Sequence, residues 1–558
     1  MANKKESLED FILKYCLQNA VLHNGKANAN AVLGKIMSEK PELRKDVLSI
    51  KKKIEHVVNS RVNSMNIDEQ RKMLQEMDPT LLEKKSKKED LPELEGAVPG
   101  KVVTRFAPAP SGPLTIFHLM RAAFLSYLYA KKYKGKFVLR LEDSDPKKVK
   151  KEFYDYIKED LEAVGIKYDK LVIESNNMQK YYEYAKRLIK NGNAYVCFCP
   201  SEVFREYKKQ KKDCPCRKNS VERNMKEWKD MIDGKYNEGD AVLRLKTSVK
   251  EKNPVLRDPP LFRICKEPHP LQGRKYNVWP LYNYACALED HFIGITHVFR
   301  AKEHEHNTAV QKKIYEVFGW EEPVFINFGM VYFPGEKLHT RDIKEGIKKG
   351  IYSGWDDVRL PTVRAFLRRG FHPKTFEEMA KKCGLSKTDI HLDWENLYGI
   401  NRKIIDPIAN RYMVVVNPVK ITIGNLDKKE IKLQLHPDFP ERGERTIPID
   451  FKEIYVSKDD FEKFKNKKIR IIGIGNVVLN EECEFLGDEL KHDIQKIQFV
   501  SKPNIKVEIL KPDGVLHGLG EPSMKNLKVG DIIQMNRIGF GRIDKKEKNK
   551  IVVAFAHK

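Results

Sequence analysis

The sequence predicts a multidomain α/β protein: a doubly wound parallel-sheet domain between two helical domains, followed by antiparallel β-barrels. Three observations predict it. Between Val102 and Asp143 a strand, a tight turn, a helix and a strand succeed one another, which is the pattern of a βαβ unit. Before residue 83 apolar residues recur at intervals of three and four with few Gly or Pro, as amphipathic helices require. Beyond residue 411 short β-branched runs such as RYMVVV, VKITIG and IRIIGIGNVVL alternate with turn residues, as in closed antiparallel sheets.

In chain order, residues 1–83 read as a helical N-terminal domain that Pro41 and Pro79 interrupt. The charged, then Pro- and Gly-bearing run KKSKKEDLPELEGAVPG (84–100) reads as a linker. VVTRFAP is a strand, PSGPL a tight turn, IFHLMRAAFLSYLYAKKYKG a helix ending near Gly135, and FVLRLED the next strand. Ligands of such sheets sit beyond the carboxyl ends of the strands. Residues of roughly 190–275 read as an insertion that carries a cysteine cluster, and alternation returns over 276–335, completing a domain at 101–335. Residues 336–405 read as a helical stem and 406–558 as barrels.

A chain of 558 residues is too long for one core, and roughly three to five domains is the expectation. Its net charge of +25 fits a nucleic-acid partner, because Lys and Arg attract phosphate backbones; a lysine-rich proteome would give the same number. No apolar run approaches the roughly 18 residues of a membrane span. The opening MANKKESLEDFILKY lacks an apolar signal core, so a cytoplasmic location is expected. Four of the nine cysteines form two CxC elements, Cys197-Phe198-Cys199 and Cys214-Pro215-Cys216. Four converging thiolates suit a tetrahedral, purely structural Zn²⁺; a pair of disulfides and a metal-free remnant are the other readings. Cys16, Cys265, Cys286, Cys383 and Cys483 read as ordinary buried residues.

The segment from Arg105 to Pro146, RFAPAPSGPLTIFHLMRAAFLSYLYAKKYKGKFVLRLEDSDP, resembles the first catalytic block of glutamyl-tRNA synthetases, in the archaeal and eukaryotic branch of class I. Arg105, Pro108, Pro110, Ser111, Gly112, Leu114, Ile116 and His118 fit the family pattern. ITHVFRAKEH, YSGWDDVRLPTVRAFLRRGFHP, NRKIIDPIANRY and the closing GDIIQMNRIGFGRID extend the resemblance over nearly the whole chain. It implies a Rossmann-like class I synthetase domain whose insertion at about 190–275 contacts the tRNA acceptor end, and an ATP-dependent ligation of L-glutamate to tRNA through a glutamyl-adenylate, with Mg²⁺ accompanying ATP. It also implies a monomer, and charging of the glutamine tRNA as well, completed by a tRNA-dependent amidotransferase. Free glutamate has two carboxylates and one ammonium. By resemblance Arg105 and Arg300 are the cations that meet the carboxylates, Glu142 is the anion, Tyr282 adds a hydroxyl, and Ala107 and Ala109 border the substrate. Glutaminyl relatives lack an arginine at the position of Arg300.

The two ATP signatures depart from the family. The HIGH motif is Thr115-Ile116-Phe117-His118, and the KMSKS-type loop is Leu338-His339-Thr340-Arg341-Asp342. By resemblance these nine residues meet ATP, with His118, Thr115 and Arg341 as the catalytic groups. Thr115 offers one hydrogen bond and is never cationic. Phe117 puts a phenyl ring where the nucleotide needs bare backbone, and so predicts a clash unless the ring turns away. Asp342 repels pyrophosphate. A second reading therefore stands beside the ligase: a catalytically silent paralogue that binds tRNA or glutamate as regulator or scaffold. Arg364, Arg368, Arg369, Arg537 and Arg542 are candidate phosphate contacts.

Overall fold

The computed structural model describes residues 7–22, 25–81, 91–335, 340–424, 426–489 and 494–558. They fall into two compact units, Met1–Asp90 and Leu91–Lys558.

The first unit packs the helices Leu8–Leu22, Ala29–Glu39, Val47–Val57 and Ile67–Met77 around one core. The three-and-four spacing becomes contact: Phe11, Ile12, Cys16 and Leu17 share that core with Val32, Ile36, Ile54 and Leu74. Pro41 and Pro79 each open a 3₁₀ turn rather than interrupt a helix, since proline has no N–H to donate. Asn66 caps Ile67–Met77 through a reciprocal pair with Glu69.

In the second unit the strands Val103–Phe106, Lys136–Leu141 and Lys170–Ile173 form a parallel sheet. The strands His297–Ala301 and Val324–Phe328 pair in parallel and adjoin the first strand, where Thr296 N–H donates to the Val103 carbonyl at 3.0 Å. The spatial order, numbering these five strands along the chain, is 3-2-1-4-5. That is a doubly wound sheet whose switch point lies between the first and fourth strands, and a crevice forms there. The helix expected over 116–135 forms as Ile116–His118, a wide π turn at Leu119–Ala123, and Phe124–Lys132. Its apolar side, with Leu119, Met120, Ala123 and Phe124, packs on Phe106, Phe137 and Leu139 of the sheet.

Between these halves of the sheet the chain builds an antiparallel sheet of Ala194–Cys197, Val242–Leu245, Pro260–Ile264 and Val278–Pro280. Trp228, Trp279 and Phe262 fill its core. After the fifth strand come the helices Thr340–Lys348, Val363–Arg369, Pro373–Cys383 and Trp394–Ile405. Two seven-stranded sheets follow. They are mostly antiparallel, as the alternation predicts. Four pairs are parallel, among them Ile505–Lys511 with Lys550–His557 and Pro418–Ile423 with Glu482–Gly487. Folding of the curved sheets brings these sequence-distant strands side by side, which local periodicity cannot show. Among the described residues no helix is long and apolar enough to cross a membrane.

Candidate active site

A cavity of about 430 Å³ opens at the carboxyl ends of the first and fourth strands. Strand ends supply Arg105 and Arg300; the loops after the first two strands supply Ala107, Ala109 and Glu142; helix starts supply Phe117, His118, Tyr282 and Thr340. Nine of the residues predicted for the site thus meet in one cleft.

Its floor is a buried charge network. Asp290 is 1% exposed and lies between two guanidiniums, 3.1 Å from Arg105 Nε and 2.5 Å from Arg140 Nη1. Burial alone would raise the Asp290 pKa, but Arg105 and Arg140 outweigh it and hold the carboxyl below its ordinary value. Arg140 also donates to Glu142 Oε1 at 2.8 Å and to the Cys286 sulfur at 3.0 Å. The Cys286 thiol donates to Glu142 Oε1 at 3.1 Å. Burial and neighbouring Glu142 push Glu174, 3.6 Å from Arg140, well up towards the neutral acid. Glu142 is thus held through Oε1 and lines the cavity.

Arg300 differs from the other two arginines. It is 5% exposed, donates to Gln311 Oε1 at 2.9 Å and to the Thr308 hydroxyl, and stacks over Phe325. Among the described residues no carboxylate pairs with it, and its Nε has no hydrogen-bond partner. Burial and then Arg105 lower its pKa, as expected of a cation held without a local anion. His304 and Tyr282 face each other at 5.8 Å between ring centres beside it. Burial raises the Tyr282 pKa, so the phenol stays protonated and can donate.

The nucleotide side is built differently. Thr115 is the N-cap of Ile116–His118: its hydroxyl accepts from His118 N–H at 3.4 Å and lies 3.1 Å from His118 Nδ1. Ile116 is fully buried, and its N–H donates to the Pro361 carbonyl at 3.1 Å. The Phe117 ring packs towards Phe333, 5.9 Å between centroids, against the sheet core. Gly112 lets the second signature approach, because a Cβ there would lie 2.5 Å from the Thr340 methyl. Leu338 and His339 lie outside the described residues. Thr340 lines the cavity. Arg341 does not: its side chain is 91% exposed and turned to Asp342, 3.7 Å away. At the first turn of Thr340–Lys348, Asp342 has a structural use, since an acid there opposes the positive helix end.

In the insertion the four cluster sulfurs lie within 4.8 Å of one another. Cys197 and Cys214 are 4.0 Å apart, Cys199 and Cys216 3.9 Å. A tetrahedron with Zn–S bonds of about 2.3 Å has edges of about 3.8 Å, so the donor set fits zinc in number, type and spacing. All nine cysteines are free thiols. Hydrogen bonding with Cys197 pushes the Cys214 thiol down, against burial and with help from Tyr195.

Two larger clefts, of about 720 and 840 Å³, lie at the barrels and the stem. They contain the arginines expected to meet phosphate, but four of the five are engaged internally. Arg368 forks onto Asp544 at 2.8 and 2.7 Å, and Arg537 onto Asp460 at 2.5 and 2.8 Å. Arg364 is 2.9 Å from Asp160, and buried Arg369 donates to the Phe555 and Ala556 carbonyls. Sequence reading missed Arg140 and Asp290. The available signal was a charge inside an apolar run, as in KFVLRL and CALEDHF, because a charge buried there needs a partner.

Residues 101–407 match the family model for tRNA synthetases class I (E and Q), catalytic domain. Residues 409–498 and 488–544 match two models for the anti-codon binding domain of the same class. The glutamate–tRNA ligase of Pyrococcus furiosus is 45% identical over 579 residues, covering 99% of this chain and 100% of its own. That of Methanocaldococcus jannaschii is 44% identical over 562 residues with the same coverage, and that of Thermococcus kodakarensis 43% identical over 577. A charged crevice at the switch point of a doubly wound sheet and full-length similarity agree: the chain belongs to the class I tRNA synthetases of the E and Q type.

Proposed function

We propose that the protein is a glutamate–tRNA ligase, joining L-glutamate to tRNA at the expense of ATP, used with Mg²⁺. The observation that carries the choice of glutamate is Arg300, a buried guanidinium that faces the cleft with no carboxylate of its own. A neutral amide would leave that charge uncompensated, whereas a carboxylate pairs with it in a planar fork. Arg105 meets the second carboxylate, Glu142 the ammonium, and the Tyr282 hydroxyl a carboxylate oxygen. Ala107 and Ala109 form the small wall.

Activation is attack of the glutamate carboxylate oxygen on the α-phosphate of ATP, with pyrophosphate leaving. A hydroxyl of the tRNA terminus then attacks the adenylate carbonyl and AMP leaves. Arg105, Arg300 and Glu142 fix the nucleophile in line. The His118 ring and the Phe117 N–H donate to phosphate oxygens where negative charge grows, and Thr115 holds that helix start in place. The full-length relatives lend the silent paralogue no support.

The finer readings belong to the same proposal. The insertion carries one structural zinc on Cys197, Cys199, Cys214 and Cys216, for which one zinc per chain in purified protein is the check. The chain works as a cytoplasmic monomer, charges the glutamine tRNA as well and hands it to an amidotransferase, and divides at 83, 100, 335 and 405. The deciding experiment is transfer of labelled glutamate to total tRNA with ATP. Charging by the wild type that disappears in Arg300→Ala supports the ligase; a tRNA-binding protein that never charges overturns it.

A further inference from the structure

The buried arginines of the glutamate half have two kinds of seat. Arg105 and Arg140 rest on the Asp290 carboxylate, which cancels charge. Arg300 rests on neutral groups. Thr308 and Gln311 stand three positions apart on the helix Glu305–Phe318 and so share one of its faces. Gln311 is fully buried, and its Oε1 accepts from Arg300 Nη1 at 2.9 Å. The Thr308 hydroxyl accepts from Arg300 Nη2. A guanidinium can only donate, so the Gln311 amide must turn its oxygen to Arg300 and its nitrogen away. That nitrogen donates to Asn283 Oδ1 at 3.2 Å, and the Thr308 hydroxyl spends its own proton on the His304 carbonyl at 3.2 Å. Both acceptors are thereby held in one orientation, and neither carries a charge.

Charges act on Arg300 from further off. Burial, then Arg105, lower its pKa, while Tyr282, Cys286 and Asp290 act the other way. Asp290 is the carboxylate among these, and its oxygens already accept from Arg105 and Arg140. A glutamate in place of Gln311 would have nearly the same size and would reach the same guanidinium. It would pair with Arg300 inside the protein and relieve a buried charge. The amide accepts the same hydrogen bond and leaves that charge unspent. Gln311 does not line the cavity, so any effect it has on a bound amino acid passes through Arg300.

We infer that Gln311 is a specificity-determining positioning residue: it aims the Arg300 fork without neutralising it, and so reserves the charge for a substrate carboxylate over a substrate amide. The inference rests on the ligase reading and on the place of Arg300 in it. A plain structural holder would need only an acceptor of the right size, and a carboxylate would serve as well as an amide. A charge-sparing seat needs the acceptor to be neutral.

The two roles predict opposite orders for two variants of the full-length protein. Gln311→Glu keeps the size and the acceptor and adds a negative charge; Gln311→Met stays neutral and removes the acceptor. Each is compared with the wild type by its unfolding midpoint without ligands, by KM and kcat for L-glutamate in tRNA charging, and by the ratio of kcat/KM for L-glutamate to that for free L-glutamine. In Gln311→Glu the midpoint is expected at or above that of the wild type, because the new carboxylate pairs with Arg300. Its KM for glutamate rises by roughly tenfold or more, and the preference over glutamine falls with it. Its kcat stays within about threefold. Gln311→Met loses some affinity but keeps its preference for glutamate within about threefold. The reverse order, with Gln311→Glu like the wild type and Gln311→Met stripped of its preference, overturns the inference. Wild-type charging beside an unchanged Gln311→Glu overturns the inference alone. A wild type that neither charges tRNA nor gains a higher unfolding midpoint from L-glutamate overturns the ligase reading and this inference with it.

Discussion

The two halves of the cleft solve different problems with different materials. The glutamate half is made of buried charges whose partners are nearly all inside the protein: Arg105 and Arg140 share Asp290, and Arg140 steadies Glu142. Of its three arginines Arg300 has no carboxylate partner among the described residues. The nucleotide half is a helix start, a ring packed towards Phe333 and a loop end, and Arg341, the cationic loop side chain among the described residues, points to solvent. Recognition of a small charged substrate needs rigid, desolvated charge. Holding a triphosphate in line needs N–H groups and cations that can close around it. The first demand fixes residue types; the second can be met by backbone and is less strict about side chains.

The largest way to break the contrast is at Asp290. Asp290→Ala leaves Arg105 and Arg140 buried and facing each other, and removing one partner from a buried ion pair costs about 3–5 kcal/mol. The expected result is a lower urea midpoint and loss of charging together. Arg300→Ala separates the two effects. It orphans no carboxylate, so the unfolding midpoint stays near that of the wild type while kcat/KM for glutamate falls by about 2–5 kcal/mol, or roughly 30- to several-thousand-fold. Equal losses of stability in the two variants would show Arg300 to be a scaffold residue like Asp290.

Next is Phe117. The clash that the sequence suggests is avoided if the ring rests on Phe333, 5.9 Å away. Phe117→Ala should then remove a half-buried ring at about 1–2 kcal/mol of stability and leave the KM for ATP within roughly threefold. A KM for ATP that falls tenfold would mean that the ring occupies nucleotide space after all.

How much of this was legible follows the same division. The family resemblance assigns Arg105, Glu142, Tyr282 and Arg300 to an amino acid with two carboxylates, and each lines the cleft. Arg140 and Asp290 escaped because a charge within an apolar run reads as a break in periodicity, and its partner stands 150 residues away in sequence. The doubly wound parallel sheet was legible from one βαβ unit, but the parallel pairs of the barrels were not, since pairing of distant strands is not local. Phe117 could not be judged from sequence at all, because its effect depends on which way one ring turns. Arg364, Arg368, Arg369 and Arg537 looked like an RNA face and proved to be internal ties, since a guanidinium on an amphipathic helix has the same sequence whether it meets water or an aspartate.

The smallest effect tests why a threonine stands at position 115. As an N-cap it satisfies a helix-start N–H that a histidine satisfies less well; as a reacting group it would donate to phosphate. The cap hydrogen bond is long, 3.4 Å, so Thr115→Ala should cost about 0.5–1 kcal/mol of stability. Thr115→Ser keeps both the cap and the hydroxyl and should match the wild type. Thr115→His separates the roles: it weakens the cap and supplies the family's ring. If Thr115 acts only as a cap, the histidine variant loses stability like the alanine variant and its kcat does not rise. If the nucleotide half lacks a donor, kcat rises despite the stability loss, and the threonine is then a replacement that favours the helix start over the transition state.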